Sequence, residues 1–127
     1  MPTFSCPPKG SPVLSPPVSA YVEATNRLDL EGLLATFADD ALVNDQLRDY
    51  WGKPAIREWA VCDIIGQSLT MDVTTVIEHY ENFIVTANIG GTFNMAGLPD
   101  PLVHAFYFTP HGERIVELII LRNRYDI

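Results

Sequence analysis

Residues 20–46 read AYVEATNRLDLEGLLATFADDALVNDQ, and this stretch predicts two short amphipathic helices that run into a β-strand. Asp29 is placed as the N-cap of the second helix, because a short polar side chain there can accept from the first free backbone N–H groups. The apolar residues of that helix recur at i, i+3, i+4 and i+7, as Leu30, Leu33, Leu34 and Phe37. We expect Asp39–Asp40 to close the helix.

The chemistry of this stretch lies in Asp45 and Tyr21. Asp45 follows the apolar run 41–43 directly, and Tyr21 lies on the apolar face of the first predicted helix. A carboxylate shielded by apolar neighbours becomes a better base near neutral pH. A tyrosine hydroxyl can donate to a developing oxyanion. The two side chains therefore give a catalytic hypothesis, provided that the rest of the chain builds an apolar pocket around them.

The flanking segments extend the helical region. Residues 1–15 are rich in proline and predict an extended arm, and residues 16–127 predict a single domain. Ser15 is expected to cap the first helix, with proline in its first turn. A third helix is predicted from Pro54 to a stop at Gly66. Its buried residues would be Ile56, Trp59, Ala60 and Ile64.

From residue 69 the hydrophobic period changes to two, which predicts four long strands. The first predicted strand has Leu69, Met71, Val73, Thr75 and Ile77 on one face. The second runs from Phe83 to about Met95, with a bulge or sharp curve at Gly90–Gly91. The third places Leu102, His104, Phe106 and Phe108 on one face, and the last places Val116, Leu118, Ile120 and Arg122 together.

This order of elements predicts an α+β fold. Three N-terminal helices would pack on a strongly curved, mixed or antiparallel sheet, forming a cone with an apolar interior. Small ligands bind in such interiors, so a small hydrophobic molecule is the expected partner.

Composition excludes several other classes of function. The formal net charge of −8 should repel phosphate backbones, so we expect no nucleic-acid partner. No apolar run approaches the ~20 residues that a membrane span requires. Cys6 and Cys62 make no disulfide framework, and no secretory signal pattern is present, so a cytoplasmic location is expected. No spacing among the three histidines indicates a metal site.

Several local motifs resemble the nuclear-transport-factor-two-like superfamily, and within it the branch of ketosteroid isomerases and SnoaL-like polyketide cyclases. The match consists of Tyr21, Asp29, the run 38–45 (ADDALVND), Gly52 and the turn 108–115 (FTPHGERI). It covers roughly residues 16–125. The resemblance implies a cone-shaped fold of the cystatin-like roll type, a homodimer formed through the open sheet face, and chemistry without a cofactor.

The resemblance also implies roles for individual residues. Asp45 falls where ketosteroid isomerases keep their proton-shuttling base, and Tyr21 falls where they keep an oxyanion-hole tyrosine. The second oxyanion donor of that family is not reproduced: the position is taken by His104 or, without a one-residue shift, by Ala105. The expected substrate-binding residues are Trp59, Phe37, Phe106, Leu118 and Arg122.

Each candidate also has a structural interpretation. Asp45 could cap the turn at residues 44–46, Tyr21 could be a core residue whose hydroxyl reaches water, and His104 could be a satisfied core histidine. Arg122 would need a carboxylate partner or an anionic ligand inside the cone, unless the strand has already left the core there.

Three functions therefore remain open. The first is a cofactor-free isomerase, cyclase or dehydratase in which Asp45 removes a proton next to a carbonyl while Tyr21 and His104 hold the enolate oxygen. The second is a non-catalytic homodimer that binds a small hydrophobic molecule. The third is a His104–Asp45 pair that carries out dehydration or hydrolysis.

Overall fold

The computed structural model describes residues 15–94 and 96–122 of the 127-residue chain. Its helices are α1 (Pro16–Asn26), α2 (Leu30–Ala35) and α3 (Gly52–Trp59), and a π-helical turn (Ala60–Ile65) continues α3. Its strands are β1 (Phe37–Asp45), β2 (Arg48–Trp51), β3 (Thr70–His79), β4 (Asn82–Gly90), β5 (Leu102–His111) and β6 (Arg114–Arg122). Except for Ser15, the predicted arm lies outside the described residues, as do residues 123–127.

The six strands form one mixed sheet in the order β2-β1-β6-β5-β4-β3. Every neighbouring pair is antiparallel except β1 and β6, which run parallel. This is the α+β architecture that the sequence predicts. None of the helices in the described part of the chain has the length and apolar character that a membrane crossing requires.

The core lies between the helices and one face of the sheet. Alternate residues of each central strand point into it, as the period of two requires. The largest fully buried side chains are Trp59, Tyr21, Phe37, Phe106, Phe108, Leu33, Ile56, Ile115 and Leu118.

The second helix is shorter than predicted. It ends at Ala35, and Phe37 begins β1, so Asp39–Asp40 lie exposed inside the strand rather than at a helix end. The Thr36 hydroxyl donates to the Leu33 carbonyl at 2.7 Å and thereby closes the helix. The predicted cap is confirmed, because the Asp29 carboxylate accepts from Gly32 N at 3.0 Å.

Strand β2 was not predicted. It pairs with β1 through a two-residue turn in which Gln46 and Leu47 both have positive φ, 53° and 74°. Such a turn normally uses glycine or asparagine, so these residues give no hairpin signal. The Asn44 side chain stabilises the turn instead. It accepts a hydrogen bond from Leu47 N at 3.1 Å and donates one to Asp49 Oδ1 at 2.6 Å.

Irregular pairing corrects two predicted strand faces, and one predicted strand is shorter than expected. A register shift between Val73 and Thr75 turns the end of β3, so that Ile77 is 55% exposed instead of inward. A second shift, opposite Thr109–Pro110, buries Ile115 in place of Val116. Gly90 ends β4 rather than bending it.

The edge strand β3 is covered at one point by a side chain of α1. Asn26 Nδ2 donates to the Met71 carbonyl at 2.9 Å, and Met71 N donates to Asn26 Oδ1 at 2.7 Å. The amide thus provides both partners that a further strand would provide. It ties the end of α1 to a free sheet edge.

Replacing this amide should destabilise the fold. Asn26→Ala leaves the N–H and the carbonyl of Met71 unpaired in a half-buried position, so the free energy of unfolding should fall by about 1–2 kcal/mol. Urea denaturation measures it. Asn26→Asp, which keeps only the acceptor, should lose part of that amount. The control Asn94→Ala removes one exposed local hydrogen bond and should change the free energy of unfolding little. If it lowers the free energy of unfolding as much as Asn26→Ala does, this role for Asn26 is wrong.

Candidate active site

An open cavity of about 290 Å³ lies between the π-helical turn, the segment after β4 and the inner face of the sheet. Its wall combines apolar and polar side chains. The apolar ones are Leu69, Ile89, Phe93 and Leu102, and the polar ones are Asp45, Asp63, Gln67 and His104. A few polar groups in an apolar hollow are typical of small-molecule sites.

A larger groove of about 480 Å³ lies on the surface between α2 and α3. Its charged groups Glu31 and Arg57 pair with each other at 3.0 Å, and both side chains are more than half exposed. Because this charged pair is mutually satisfied and solvent-exposed, the groove is a weaker candidate than the 290 Å³ cavity.

The end of β1 places Asp45 in the cavity wall. Ala41 and Val43 point inward, so the alternation of the strand directs Asp45 to the same face. The parallel pairing sets it opposite Ile120 of β6. The Trp59 indole Nε1 donates to Asp45 Oδ2 at 2.9 Å. No hydrogen bond from the described residues reaches Oδ1, so that oxygen is available to a ligand.

This geometry separates the two interpretations of Asp45. The turn after β1 is capped by Asn44, whose side-chain oxygen accepts from Leu47 N. The side chain of Asp45 makes no bond to that turn and contacts Trp59 instead. Its position is therefore explained by the cavity and not by the hairpin.

His104 lies half-buried on the cavity wall, whereas Ala105 points to the other face of the sheet. Burial lowers the pKa of the His104 imidazole below its usual value; the Asp45 carboxylate acts in the opposite direction, and Arg122 adds to the lowering. The imidazole is consequently neutral at pH 7. A neutral ring can donate one hydrogen bond and accept another.

Arg122 is the cross-strand neighbour of His104 and is exposed. Its backbone N–H donates to Gln46 Oε1 at 3.3 Å. Arg122 and Asp45 form no ion pair within 4 Å. The guanidinium therefore lies beside the cavity rather than on the proposed base.

Tyr21 is fully buried and does not line the cavity. Its ring lies edge-on to Phe108, with centroids 5.1 Å apart, and edge-on to Phe37 at 6.0 Å. The hydroxyls of Tyr21 and of buried Thr25 have no hydrogen-bond partner among the described residues. Desolvation and then the Asp45 charge raise the pKa of Tyr21 far above its usual value. The Tyr21 hydroxyl is thus a protonated donor.

The other expected pocket residues lie in the core behind the cavity wall. Trp59, Phe37, Phe106 and Leu118 are each at most 1% exposed, and none lines the 290 Å³ cavity. The Phe37 and Phe106 rings pack against the Tyr21 ring, with centroids 6.0 and 6.4 Å away, and so belong to the core around Tyr21 rather than to the open part of the site.

Six lining residues were missed as site residues, namely the polar Asp63 and Gln67 and the apolar Leu69, Ile89, Phe93 and Leu102. A signal for two of them exists, because Trp59, Asp63 and Gln67 are spaced by four and so share one helix face. The π-helical turn at residues 60–65, a feature common at functional sites, gives no sequence signal. Phe93 lies in a segment without regular structure and has no such pattern.

No model of a known protein family matches the sequence, and no curated protein matches it. Many solved structures share its fold. A candidate polyketide cyclase of Sinorhizobium meliloti is 28% identical, with a TM-score of 0.76, over 85% of this chain and 95% of that one.

Two further neighbours were solved with small molecules. A hypothetical protein of Catenulispora acidiphila with a ketosteroid isomerase-like fold, in complex with trimethylamine, is 19% identical, with a TM-score of 0.70, over 86% of each chain. An orange carotenoid protein of Anabaena that binds canthaxanthin is 19% identical, with a TM-score of 0.71, over 87% of this chain and 36% of that one. These and NTF2-like neighbours confirm the superfamily resemblance.

The bond between Trp59 and Asp45 should be measurable as a coupling energy. Trp59→Phe removes the N–H donor, and a hydrogen bond to a charged acceptor contributes about 1.5–3 kcal/mol. In an Asp45→Asn background the same change removes only a neutral hydrogen bond, so it should cost about 1 kcal/mol less, while the lost ring volume is common to both. A double-mutant cycle in urea measures this difference. Equal costs in the two backgrounds would show that the charge of Asp45 plays no part.

Proposed function

We propose that this member of the nuclear-transport-factor-two-like superfamily is a cofactor-independent acid–base enzyme of the isomerase or cyclase kind. Its substrate would be a small hydrophobic carbonyl compound. The observation that supports this most is the arrangement of Asp45 and His104 on the wall of one largely apolar cavity.

Asp45 would act as the base. Trp59 fixes Oδ2 and leaves Oδ1 to take a proton from the carbon next to the substrate carbonyl. The electron pair of the broken C–H bond then moves onto the carbonyl oxygen as an enolate. The carboxylic acid formed on Asp45 returns the proton to a carbon of the substrate and restores the carboxylate. A well-placed base contributes about 10²–10⁴-fold to the rate.

His104 would stabilise the enolate oxygen. Its lowered pKa keeps the imidazole neutral, so the ring donates a hydrogen bond without releasing a proton at pH 7. Tyr21 would be a second donor, since its buried hydroxyl lacks a partner among the described residues and a ligand oxygen reaching inward would supply one. Phe37, Phe106, Trp59 and Leu118 would then bound the inner end of the site, and Arg122 its rim.

The size of the cavity limits the substrate. About 290 Å³ is near the small end of ligand sites, which suits a molecule of one to three rings. Two proteins of similar fold hold trimethylamine and canthaxanthin. Their ligands support the view that this interior accepts small organic molecules.

A non-catalytic binding protein is the second candidate. It is favoured by the fact that Tyr21 does not line the cavity and that Trp59 already bonds one oxygen of Asp45. A His104–Asp45 pair for dehydration or hydrolysis is the third: both residues line the cavity, although they make no hydrogen bond to each other.

We also propose a homodimer formed through the outer face of the sheet. The strand register aligns Ile84, Tyr107 and Ile119 in one row across β4, β5 and β6. Tyr107 is 39% exposed, whereas Val103 and Ala105 are already buried within one chain. The apolar row is the part of this face that needs cover.

Exchange of carbon-bound hydrogen tests the catalytic proposal without knowledge of the product. The ketone 1-tetralone in D₂O should exchange the two hydrogens next to its carbonyl faster in the presence of the protein, as followed by ¹H NMR. Asp45→Asn should reduce the catalysed exchange by about 10²-fold or more. It should change the affinity for 1-tetralone little.

Asp72→Asn is the matched control, because Asp72 is an exposed carboxylate of β3 outside the cavity. It should exchange like the wild type. Binding of 1-tetralone without any catalysed exchange would favour the non-catalytic candidate.

The dimer should depend on Tyr107. Tyr107→Lys places a charge in the apolar row, so light scattering coupled to gel filtration should show a shift from dimer to monomer. Tyr80→Lys is the control, since Tyr80 is 87% exposed in the turn between β3 and β4, off the sheet face. A wild-type protein that is monomeric at high micromolar concentration would reject this interface.

A further inference from the structure

Asp63 lies on the wall of the cavity together with Asp45 and His104. It sits in the π-helical turn, four residues after Trp59, and is half-buried. Trp59 bonds Asp45, so the same helix face that anchors one carboxylate presents a second one to the cavity. No hydrogen bond or ion pair from the described residues reaches the Asp63 carboxylate.

The charges around Asp63 come from several elements. Asp45 of β1 is a like charge, and Arg48 of β2 is an opposite one. His104 of β5 lines the same cavity, and Arg122 of β6 is the cross-strand neighbour of His104. Desolvation first, and then Asp45, raise the pKa of the Asp63 carboxyl, while Arg48 lowers it in part. The Asp63 carboxylate faces an open cavity, where solvent favours its charged form.

A neutral ligand removes that water. The remaining walls are apolar, so an occupied cavity leaves both carboxylates in a medium that disfavours two negative charges. Asp45 keeps the Trp59 N–H as a partner for its charge, whereas Asp63 has none among the described residues. The proton should therefore go to Asp63.

We propose that Asp63 is a second acid–base residue of this site, which takes up one proton when a neutral carbonyl compound enters the cavity and donates it in a hydrogen bond to the carbonyl oxygen. The proposal rests on the proposed function, because it takes the ligand to be a neutral carbonyl compound. The proton comes from solvent and returns to solvent when the ligand leaves, so no bond of the ligand is broken.

With Asp63 protonated, the site would select ligands that carry an acceptor oxygen. A protonated carboxyl beside an ionised one recognises an acceptor oxygen at one end of the ligand, while Asp45 remains free to act on the neighbouring carbon. The neutral imidazole of His104 can join in holding the same oxygen. Binding and charge state are then linked, and affinity becomes a function of pH.

Calorimetric titration of 1-tetralone into the full chain tests this linkage. Above the range in which free Asp63 titrates, the affinity of the wild type should rise as the pH falls, by at most about tenfold per pH unit, which is the limit for uptake of one proton. Titrations in buffers with different ionisation heats count the proton directly. 1-Tetralone itself has no titrating group in this range.

Asp63→Asn should bind 1-tetralone with a pH-independent affinity and no proton uptake, because the amide is always neutral and still donates. The matched control Asp72→Asn should keep the wild-type slope. A wild-type slope in Asp63→Asn would overturn the proposal, and loss of the slope in Asp45→Asn alone would assign the proton to Asp45 instead.

Exchange of the hydrogens next to the carbonyl separates the two proposals. Binding and catalysed exchange without proton uptake would reject the role of Asp63 and leave the function of Asp45 intact. Absence of both binding and exchange would count against the proposed function and against this inference with it.

Discussion

The parallel pairing of β1 with β6 is the contact on which the site depends. It joins the N-terminal helical region to the C-terminal strand, residues that are more than 70 positions apart, and places Asp45 opposite Ile120. Gln46 extends this contact: its backbone N–H and its side-chain amide both donate to the Ile120 carbonyl, at 3.0 and 3.4 Å. Without this register, Asp45 and His104 would not share a cavity wall.

The interior has two electrostatic zones. Around Tyr21 the side chains are aromatic and fully buried, so its hydroxyl stays protonated. Around Asp45 the wall is half-open, and carboxylate, imidazole and amide groups face solvent. The nearby negative charge reaches into the first zone, because it contributes to the raised pKa of Tyr21. The interior therefore holds a fully buried hydroxyl that stays protonated and, in a separate half-open wall, an accessible carboxylate.

Much of this architecture could be predicted from hydrophobic period and capping. Asp29, Gly66 and the alternation in β4 and β5 each carry a local signal that the structure bears out. The features that were missed arise from contacts distant in sequence. The irregular pairing in β3 and β6 changes which residues face inward, and single-strand periodicity contains no information about a partner's register.

The site follows the same rule. Asp45 could be placed from its position after an apolar run and from the family resemblance, and the inward orientation of His104 from the alternation of β5. Asp63 carries only a spacing signal, four residues after Trp59, and Phe93 carries none; a π-helical turn and an irregular segment bring them to the cavity. Trp59 was expected as a wall of the pocket. Its hydrogen bond from Nε1 to Asp45 could not be predicted, because it depends on the orientation of the two side chains.

The clustering of Asp45 and Asp63 in a chain of net charge −8 has a consequence for what can approach the cavity. Field lines from the two carboxylates converge in a hollow with low-dielectric walls, where the potential is stronger than on the open surface. Such a potential would repel phosphorylated or carboxylated compounds and would favour uncharged or cationic ones. This sorting by charge weakens once ionic strength shortens the Debye length well below about 8 Å.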